Sequence, residues 1–451
     1  MDAVFRSILL IVMVAPFVIG GCTGCPSSSF PLDDPEPELD SLEAFLEHRA
    51  QPLNDVDDLG PLVSLAGDRR LILLGEASHG TREFYDWRAE LSLAIAEGPG
   101  LDFVGIEGDW HAARAADRFV MGEGDEEDLE QLLVEAFDRW PQWMWANEEF
   151  AQFLRQVRRF NEANQERPIR IYGVDMHAFF TSLQRLQERV RRDHPDRANE
   201  FHANLQCLSR FAPEGRAYLQ ALRSQRSQSC EEGVRQAAAM IAELYPDDST
   251  EHLSARKHMR TIVSGESQFR GPAEGDGDQH WNARVHHFYD VAKALLDHHG
   301  PDARGAVWAH NTHIGDARAT TMAERNRHNI GQISRENLGE EAVLSIGFST
   351  AEGQVIAGAQ WGAPLEVMEV PPAPKGSLDA MLRGADQSSY FLQFRKSDRE
   401  LPYWTELPGQ LGIGVVYDPT EYALRNFAPT NPAARYDALI FIDQTSPLNP
   451  L

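Results

Sequence analysis

Two short motifs place ionisable side chains where they could act on a substrate. In "LILLGEASHG", residues 71–80, an apolar run leads to Glu76, and His79 follows three positions later. A histidine beside a carboxylate can act as a general base, because the carboxylate fixes the imidazole tautomer and stabilises the imidazolium. Glu76 could instead cap the helix that follows. The pair therefore predicts either a catalytic base or a helix cap.

The second motif, "HNTH", holds His310 and His313. Residues three apart lie on one face where a helical turn begins. This pair could polarise a carbonyl, hold a developing oxyanion or return a proton to a leaving group. The structural alternative is that His310 closes a strand by bonding to backbone. Arg88, nine residues after His79, could neutralise nearby carboxylates.

Short apolar runs bounded by Gly or polar residues predict the strands that would position these groups. Helical patterns such as "REFYDWRAELSLAIAE" separate them. This alternation predicts an α/β fold with a mostly parallel central sheet flanked by helices in three layers. The predicted strands are "LILLGE", "FVGIEG", "IRIYGVD", "AVWAHN", "VLSIGFST" and "ALIFIDQT".

Four of the predicted strands end on an ionisable residue. Glu76, Glu107, Asp175 and His310 each follow an apolar run. In open α/β sheets, ligands bind beyond the carboxyl ends of the strands. We therefore expect these four side chains to meet at one edge of the sheet and to form the polar floor of a pocket.

A helical insertion is predicted over residues 181–270, where amphipathic patterns recur without a clear strand. We expect it to cover one side of the site, within an α/β domain that spans residues 41–451. The formal net charge of -27 excludes nucleic acid as a favoured partner, because phosphates would be repelled. A small neutral or cationic molecule fits this charge better.

The N-terminus predicts export. Residues 1–21 read as a signal peptide with a short apolar segment. "IGGC" resembles a bacterial lipobox, so Cys22 is the predicted site of lipidation; a signal peptide cleaved elsewhere and a membrane anchor are the alternatives. Residues 22–40, rich in Pro, Ser and acid, predict a flexible tether. We expect an exported protein that contacts a bacterial membrane through its lipid anchor alone.

Two cysteines remain in the body of the chain, Cys207 and Cys230. An exported compartment permits disulfides, so we predict a bridge between them. Two unpaired buried thiols are the alternative.

Several familiar catalytic motifs are absent from the sequence. There is no G-x-S-x-G nucleophile elbow, no P-loop and no G-x-G-x-x-G after a strand. The Glu, Asp and His residues could hold a divalent metal, but "HNTH" is not the HExxH pattern. We therefore predict neither a metal nor another cofactor.

Taken together, the motifs resemble the erythromycin esterase family. The resemblance runs in order from about Leu71 to Pro447. It is carried by "LLGEASHGTREFYDWRAEL", "FVGIEGDW", "RWPQWMWANEEF", "IYGVDMHAF", "WAHNTHIGD", "GQISRENLG", "SIGFSTAEG" and "YDALIFIDQT". It implies an α/β core with helical additions and a hydrolase that opens macrolide lactones without a metal.

The resemblance also implies roles for individual residues. His79 corresponds to the catalytic histidine, Glu76 to its partner acid and Glu107 to a second essential acid. The remaining family positions fall on Arg88, His310, His313 and Arg284. Val285 stands where the family pattern has Asp after that last arginine.

The expected reaction is hydrolysis of a small ester or lactone by water that His79 activates. His310, His313 or an arginine would stabilise the oxyanion. Trp143, Trp145 and Asp175 are the predicted substrate-binding residues, although each Trp could simply pack in the core. Two other functions remain open: hydrolysis of a different ester or acyl compound, and haem or iron binding by a surface lipoprotein.

Overall fold

The computed structural model describes residues 41–451, apart from residues 214, 227, 248, 274, 276 and 277. The predicted signal peptide, tether and lipidation residue Cys22 therefore lie outside the described residues. Among the described helices, none is long and apolar enough to cross a membrane.

A central sheet organises the described part of the chain. The described strands are β1 (Gln51–Pro52), β2 (Leu71–Leu74), β3 (Phe103–Asp109), β4 (Arg170–Asp175), β5 (Gly305–Trp308), β6 (Val343–Gly358), β7 (Leu365–Val370), β8 (Ser389–Gln393), β9 (Gly409–Leu411), β10 (Phe427–Pro429) and β11 (Ala438–Thr445). The strand order of the central sheet is β1-β8-β11-β6-β2-β5-β3-β4, with β7 paired to β6, while β9 and β10 pair with each other. The neighbours from β4 to β11 in this order are parallel, and β1, β7 and β8 join the sheet antiparallel.

Helices flank the sheet, and the predicted α/β class with a mostly parallel sheet is confirmed. They are α1 (Leu42–Arg49), α2 (Gly60–Ala66), α3 (Arg82–Glu97), α4 (Trp110–Val120), α5 (Leu129–Ala136), α6 (Glu148–Ala163), α7 (Phe179–Asp193), α8 (Ala198–Ser209), α9 (Gly215–Arg223), α10 (Glu231–Leu244), α11 (Thr250–Ala273), α12 (Gln279–His299), α13 (Asn311–Ile314), α14 (Ile330–Leu338), α15 (Leu378–Leu382), α16 (Pro402–Thr405), α17 (Tyr422–Arg425) and α18 (Pro432–Arg435).

All six predicted strands are present, as β2, β3, β4, β5, β6 and β11. The central strands are apolar because helices cover both faces of the sheet; every residue of β2 and β5 is buried. The short antiparallel strands were not predicted. In β7, for example, most residues are exposed and the pattern is not that of a buried strand.

Helices α7 to α11 occupy the stretch predicted as an insertion and enclose an apolar cluster of their own. Within it, Cys207 and Cys230 form the predicted disulfide, with their Cα atoms 5.5 Å apart. Helix α11 packs along α12. One side of the block therefore packs against α12, which carries Arg284.

Candidate active site

A cavity of about 330 Å³ opens beyond the carboxyl ends of the central strands. Glu107 and Asp175 belong to the last residues of β3 and β4, whereas Glu76 and His310 lie in the loops just after β2 and β5. The pairing of β3 with β4 is irregular between Ile106 and Asp109, where such bulges commonly re-aim side chains. The polar side of the cavity is lined by His79, Glu107, Asp175, Arg284, His310 and His313.

The first cluster, which we call the His79 group, consists of Glu76, His79 and Arg88. His79 Nδ1 lies 2.7 Å from Glu76 Oε1. Arg88 Nη2 lies 2.8 Å from Glu76 Oε2, as an ion pair whose angle is not that of an aligned hydrogen bond. Glu76 therefore has the histidine on one oxygen and the guanidinium on the other.

The local fold explains why these three residues meet. The chain leaves β2 at Gly75, where a side chain would collide with Asn311. A tight loop then leads into α3, and Arg88 lies on the second turn of that helix. Arg88 is fully buried, with its guanidinium carbon 4.3 Å from the ring centre of Tyr85 and 5.0 Å from that of Trp308.

Electrostatics sets the protonation state of the pair. Burial by itself disfavours the carboxylate of Glu76, but Arg88 and the hydrogen bond with His79 outweigh it, so the pKa of Glu76 is lowered. Burial also disfavours the imidazolium of His79, yet the bond to Glu76 and the charge of Glu107 raise its pKa above 6.5. An ionised Glu76 thus fixes a proton on Nδ1 and leaves Nε2 as the basic nitrogen of the neutral ring.

The second cluster, the Arg284 group, consists of Glu107, Asp175, Arg284 and His313. Arg284 binds Asp175 through Nε at 3.0 Å and through Nη2 at 2.7 Å. Its Nη2 is also 2.7 Å from Glu107 Oε1, and its Nη1 is 2.9 Å from His313 Nε2. One guanidinium therefore joins two strands and two helices.

The two carboxylates of this group are held ionised. Burial works against both charges, but protonated His313 and Arg284 outweigh it at Glu107 and lower its pKa to about 2. At Asp175, Arg284 and His177 overcome the same effect, so its pKa lies well below its usual value. The group keeps two anions and one guanidinium in a buried space.

His313 is neutral. Burial lowers its pKa to about 3, and Arg284 adds to the effect of burial while Glu107 opposes it. Because Arg284 donates to Nε2, the proton of the neutral ring lies on Nδ1, which has no hydrogen-bond partner among the described residues. Trp281 stacks on the ring at 4.6 Å between centroids and 8° between planes.

His310 links the two groups. Its backbone N–H donates to Glu107 Oε2 at 2.8 Å, and its ring centre is 4.9 Å from that of His79. Nδ1 accepts from the backbone N–H of Thr312, so Nε2 carries the proton and donates to the carbonyl of Ala77 at 3.2 Å. Burial lowers the pKa of His310 to about 4, which keeps the ring neutral.

The two tryptophans predicted to bind substrate point in different directions. Trp145 lines the cavity and donates from Nε1 to the carbonyl of Glu107 at 3.0 Å. Trp143 does not line this cavity: its ring is buried in the main apolar core and borders a separate pocket. Residues two apart on a helical turn do not face the same way, which corrects the prediction for Trp143.

Two further predictions concern the helical insertion and Val285. None of the described residues between 181 and 270 lines the cavity, so the insertion does not cover it directly. Val285 is fully buried, and the carboxylates that hold Arg284 come from β3 and β4 instead.

Sequence reasoning missed several residues that line the cavity. Arg139 donates twice to Asp109 Oδ2, at 2.9 and 2.8 Å, and both residues border the cavity. Asp109 is the last residue of β3, so its position was a usable signal. Trp281 and Trp361 come from a helix and a turn whose sequences carry no such signal.

Glu76, His79 and Glu107 form a candidate metal site by distance, because one ligand atom from each lies within 4.8 Å of the others. The donor set argues against it. Glu76 is already neutralised by Arg88 and His79, and Glu107 by Arg284 and the N–H of His310. A cation would have to displace these partners, so the residues present do not fit a resident metal.

The architecture is shared with solved structures. A crystallised Bacillus cereus protein superposes with a TM-score of 0.75 at 18% identity, over 91% of this chain and 98% of the other. The erythromycin esterase EreC, in an open conformation, superposes with a TM-score of 0.62 at 15% identity, over 87% and 95%. These likenesses show a common α/β fold.

The family follows from the sequence match. The model of the erythromycin esterase family matches residues 96–445, and the chain belongs to that family of hydrolases. Erythromycin esterase type II of Escherichia coli is 26% identical over 125 residues, which is 28% of this chain and 28% of that relative. The chain thus matches well under two thirds of that relative's length. The haem-binding alternative is not favoured.

Proposed function

We propose that this protein hydrolyses a macrolide lactone or a similar ester with a water molecule that His79 activates. The observation that carries the proposal is the arrangement of His79: its ring lines the cavity, while Nδ1 is bound to an ionised, buried Glu76 that Arg88 holds from the other side. Membership of a hydrolase family, whose model matches residues 96–445, supports ester hydrolysis.

In the proposed reaction, Nε2 of neutral His79 takes a proton from water as the water oxygen attacks the ester carbonyl. The tetrahedral intermediate then expels the alkoxide, which receives that proton from the imidazolium. Glu76 stabilises the imidazolium between the two steps. The products are a carboxylic acid and an alcohol, or a ring-opened hydroxy acid from a lactone, and no acyl-enzyme forms.

Arg284 is the proposed source of electrostatic stabilisation for the oxyanion. Among the predicted candidates, His310 already donates from Nε2 to Ala77, and Nε2 of His313 accepts from Arg284. His310 therefore has no free N–H group for a substrate, and His313 keeps only its Nδ1–H, which is buried and has no partner among the described residues. A guanidinium fixed by two carboxylates holds positive charge near the reacting atoms without having to reorganise.

The test is a hydrolysis assay with erythromycin and a panel of simple esters, in which mass spectrometry detects the gain of one water. We expect His79→Asn to lose about 10²–10⁴-fold in kcat, the usual contribution of a positioned base. His286→Asn, a change at an exposed histidine of α12, is the matched control. Unchanged turnover in His79→Asn would remove His79 from the mechanism.

Metal independence has its own test. Because arginines and N–H groups already satisfy the carboxylates, we expect the activity to survive dialysis against a chelator. Loss of activity that zinc or another divalent ion restores would contradict the metal-free mechanism.

We further propose that the protein is exported and anchored through a lipid on Cys22. The disulfide between Cys207 and Cys230 supports an oxidising compartment. Mass analysis of the mature N-terminus should show a lipidated Cys22, and Cys22→Ala should leave the protein unlipidated, whereas Cys25→Ala should not. A mature chain that begins elsewhere would overturn the assignment.

A further inference from the structure

The mouth of the cavity carries an aromatic ring that the proposed hydrolysis does not use. Trp361 lies in the turn between β6 and β7 and lines the cavity, yet 52% of its surface is exposed. Tryptophan is usually well buried, because covering its large ring is strongly favourable. An exposed indole at the mouth of a cavity is thus available to a ligand.

The turn that carries Trp361 is anchored on two sides. The pairing of Gly358 with Leu365 closes it, and the N–H of Gly358 donates to the carbonyl of Val415 at 3.0 Å. On the other side, Trp140 Nε1 donates to the carbonyl of Ala363 at 2.9 Å. Ordering this turn therefore adds little to the cost of binding a ligand.

Trp140 also supports the ring itself. The centroids of Trp140 and Trp361 are 4.6 Å apart, with 59° between the ring planes. His177, another cavity residue, lies 6.2 Å from the ring centre of Trp361. The indole is thus held above the mouth by a second tryptophan rather than projecting freely into solvent.

Between this ring and the polar floor, the cavity has an apolar wall. Phe137, Pro141, Met144 and Val415 contribute to it. A substrate that places its carbonyl at His79 would therefore have apolar surface beside it and the indole at the mouth. This division suits an ester with one reactive polar group and a bulky apolar part.

We propose that Trp361, supported by Trp140, is a specificity-determining platform for a rigid apolar ring face in the acyl part of the substrate. The proposal rests on the proposed ester hydrolysis. A contact with a part of the substrate that does not react binds substrate and transition state alike. It should therefore act on KM rather than on kcat.

The experiment compares 4-nitrophenyl cyclohexanecarboxylate with 4-nitrophenyl acetate. We expect Trp361→Ala to lower the ratio of their kcat/KM values about tenfold, through KM of the bulky ester, as loss of an aromatic anchor does. Trp361→Phe, which keeps an aromatic face, should restore most of the ratio. Leu424→Ala, at a leucine that is 88% exposed, is the control that leaves the ratio unchanged. An unchanged ratio in Trp361→Ala, or equal losses for both esters, would overturn the proposal.

A binding measurement separates this proposal from the proposed function. The amide N-(4-nitrophenyl)cyclohexanecarboxamide resists hydrolysis and can be titrated calorimetrically into the unmodified protein and into Trp361→Ala. About tenfold weaker binding to the variant supports the platform, even if no ester is turned over, in which case the hydrolytic proposal alone fails. Equal affinity for both proteins, or no binding to either, overturns the platform.

Discussion

His79 and His313 are both buried histidines next to a glutamate, yet their pKa values move in opposite directions. The pKa of His79 is raised above 6.5, whereas burial and the neighbouring Arg284 lower that of His313 to about 3. The difference lies in which residue is hydrogen-bonded to a ring nitrogen. Glu76 accepts from His79, while Arg284 donates to His313. A histidine whose protonation is favoured and one that serves as a fixed neutral acceptor are thus built from the same residue types.

The two groups also differ in how they are assembled. The His79 group comes from one short stretch, residues 76–88. The Arg284 group joins distant parts of the chain, since Arg284 is 177 residues from Glu107 and 109 from Asp175. The predictions below test whether the first group supplies the general base and the second the charged framework that carries Arg284.

Glu76→Gln should have the largest effect. The amide cannot stabilise the imidazolium, and it leaves the buried Arg88 without its anion. We expect kcat for ester hydrolysis to fall about 10²–10⁴-fold. Glu47→Gln, at an exposed position of α1, is the control. A kcat within tenfold of the unmodified value would show that His79 does not need Glu76.

Arg284→Met should lower the stability of the protein as well as kcat. It leaves Glu107 and Asp175 as buried carboxylates without their shared cation, which typically costs about 3–5 kcal/mol in the free energy of unfolding. Urea denaturation measures the change. Arg425→Met removes an exposed ion pair with Glu421 and should cost under about 1 kcal/mol. Similar losses in both variants would refute the framework role of the Arg284 group.

The pH profile should report His79 and not His313. In the proposed reaction only neutral His79 accepts a proton from water, so kcat/KM should rise with pH and level off above the pKa of His79. The midpoint of this rise should lie above pH 6.5, and below it kcat/KM should change about tenfold per pH unit. His313, with a pKa of about 3, is neutral throughout this range. A profile that is flat between pH 5 and about 8 would contradict the assignment.

The same shift has a signed consequence for stability. Because the folded state raises the pKa of His79, the protonated group contributes stability below about pH 6.5, and this contribution is lost as the pH rises through the folded-state pKa. In Glu76→Gln, the carboxylate that raises the pKa of His79 is absent. The midpoint of the pH profile of kcat/KM should therefore move to lower pH.

Trp281→Leu should have the smallest effect. The stack on His313 is lost, but Arg284 still holds the ring through Nε2. We expect a loss of about 1 kcal/mol in the free energy of unfolding and less than tenfold in kcat. Trp281→Phe should retain most of the stability. A loss as large as that of Arg284→Met would mean that stacking, rather than charge, fixes His313.

Much of the fold could be predicted because the central strands carry their own signal. Apolar runs covered on both faces stand out in the sequence, and the polar residues that end them mark the carboxyl edge of the sheet. The pairing of Glu76 with His79 was suggested by their spacing. The exposed strand β7 and the turn that holds Trp361 carry no comparable pattern.

Other features depended on side-chain directions and long-range contacts, which the sequence does not reveal. Trp143 and Trp145 are alike in type and nearly adjacent, yet one is in the core and the other faces the cavity. Arg284 was indicated by family resemblance alone, since nothing near it in the chain reveals that its partners are Glu107 and Asp175.

The sequence by itself determined the order of strands and helices and the local Glu76–His79 pair, because periodicity and short-range spacing suffice for both. The tertiary structure decided which histidine is raised in pKa and which is lowered. That outcome depends on burial and on Arg284, which α12 brings to the ends of β3 and β4. Charged neighbours that are distant in the chain cannot be recognised from the local sequence.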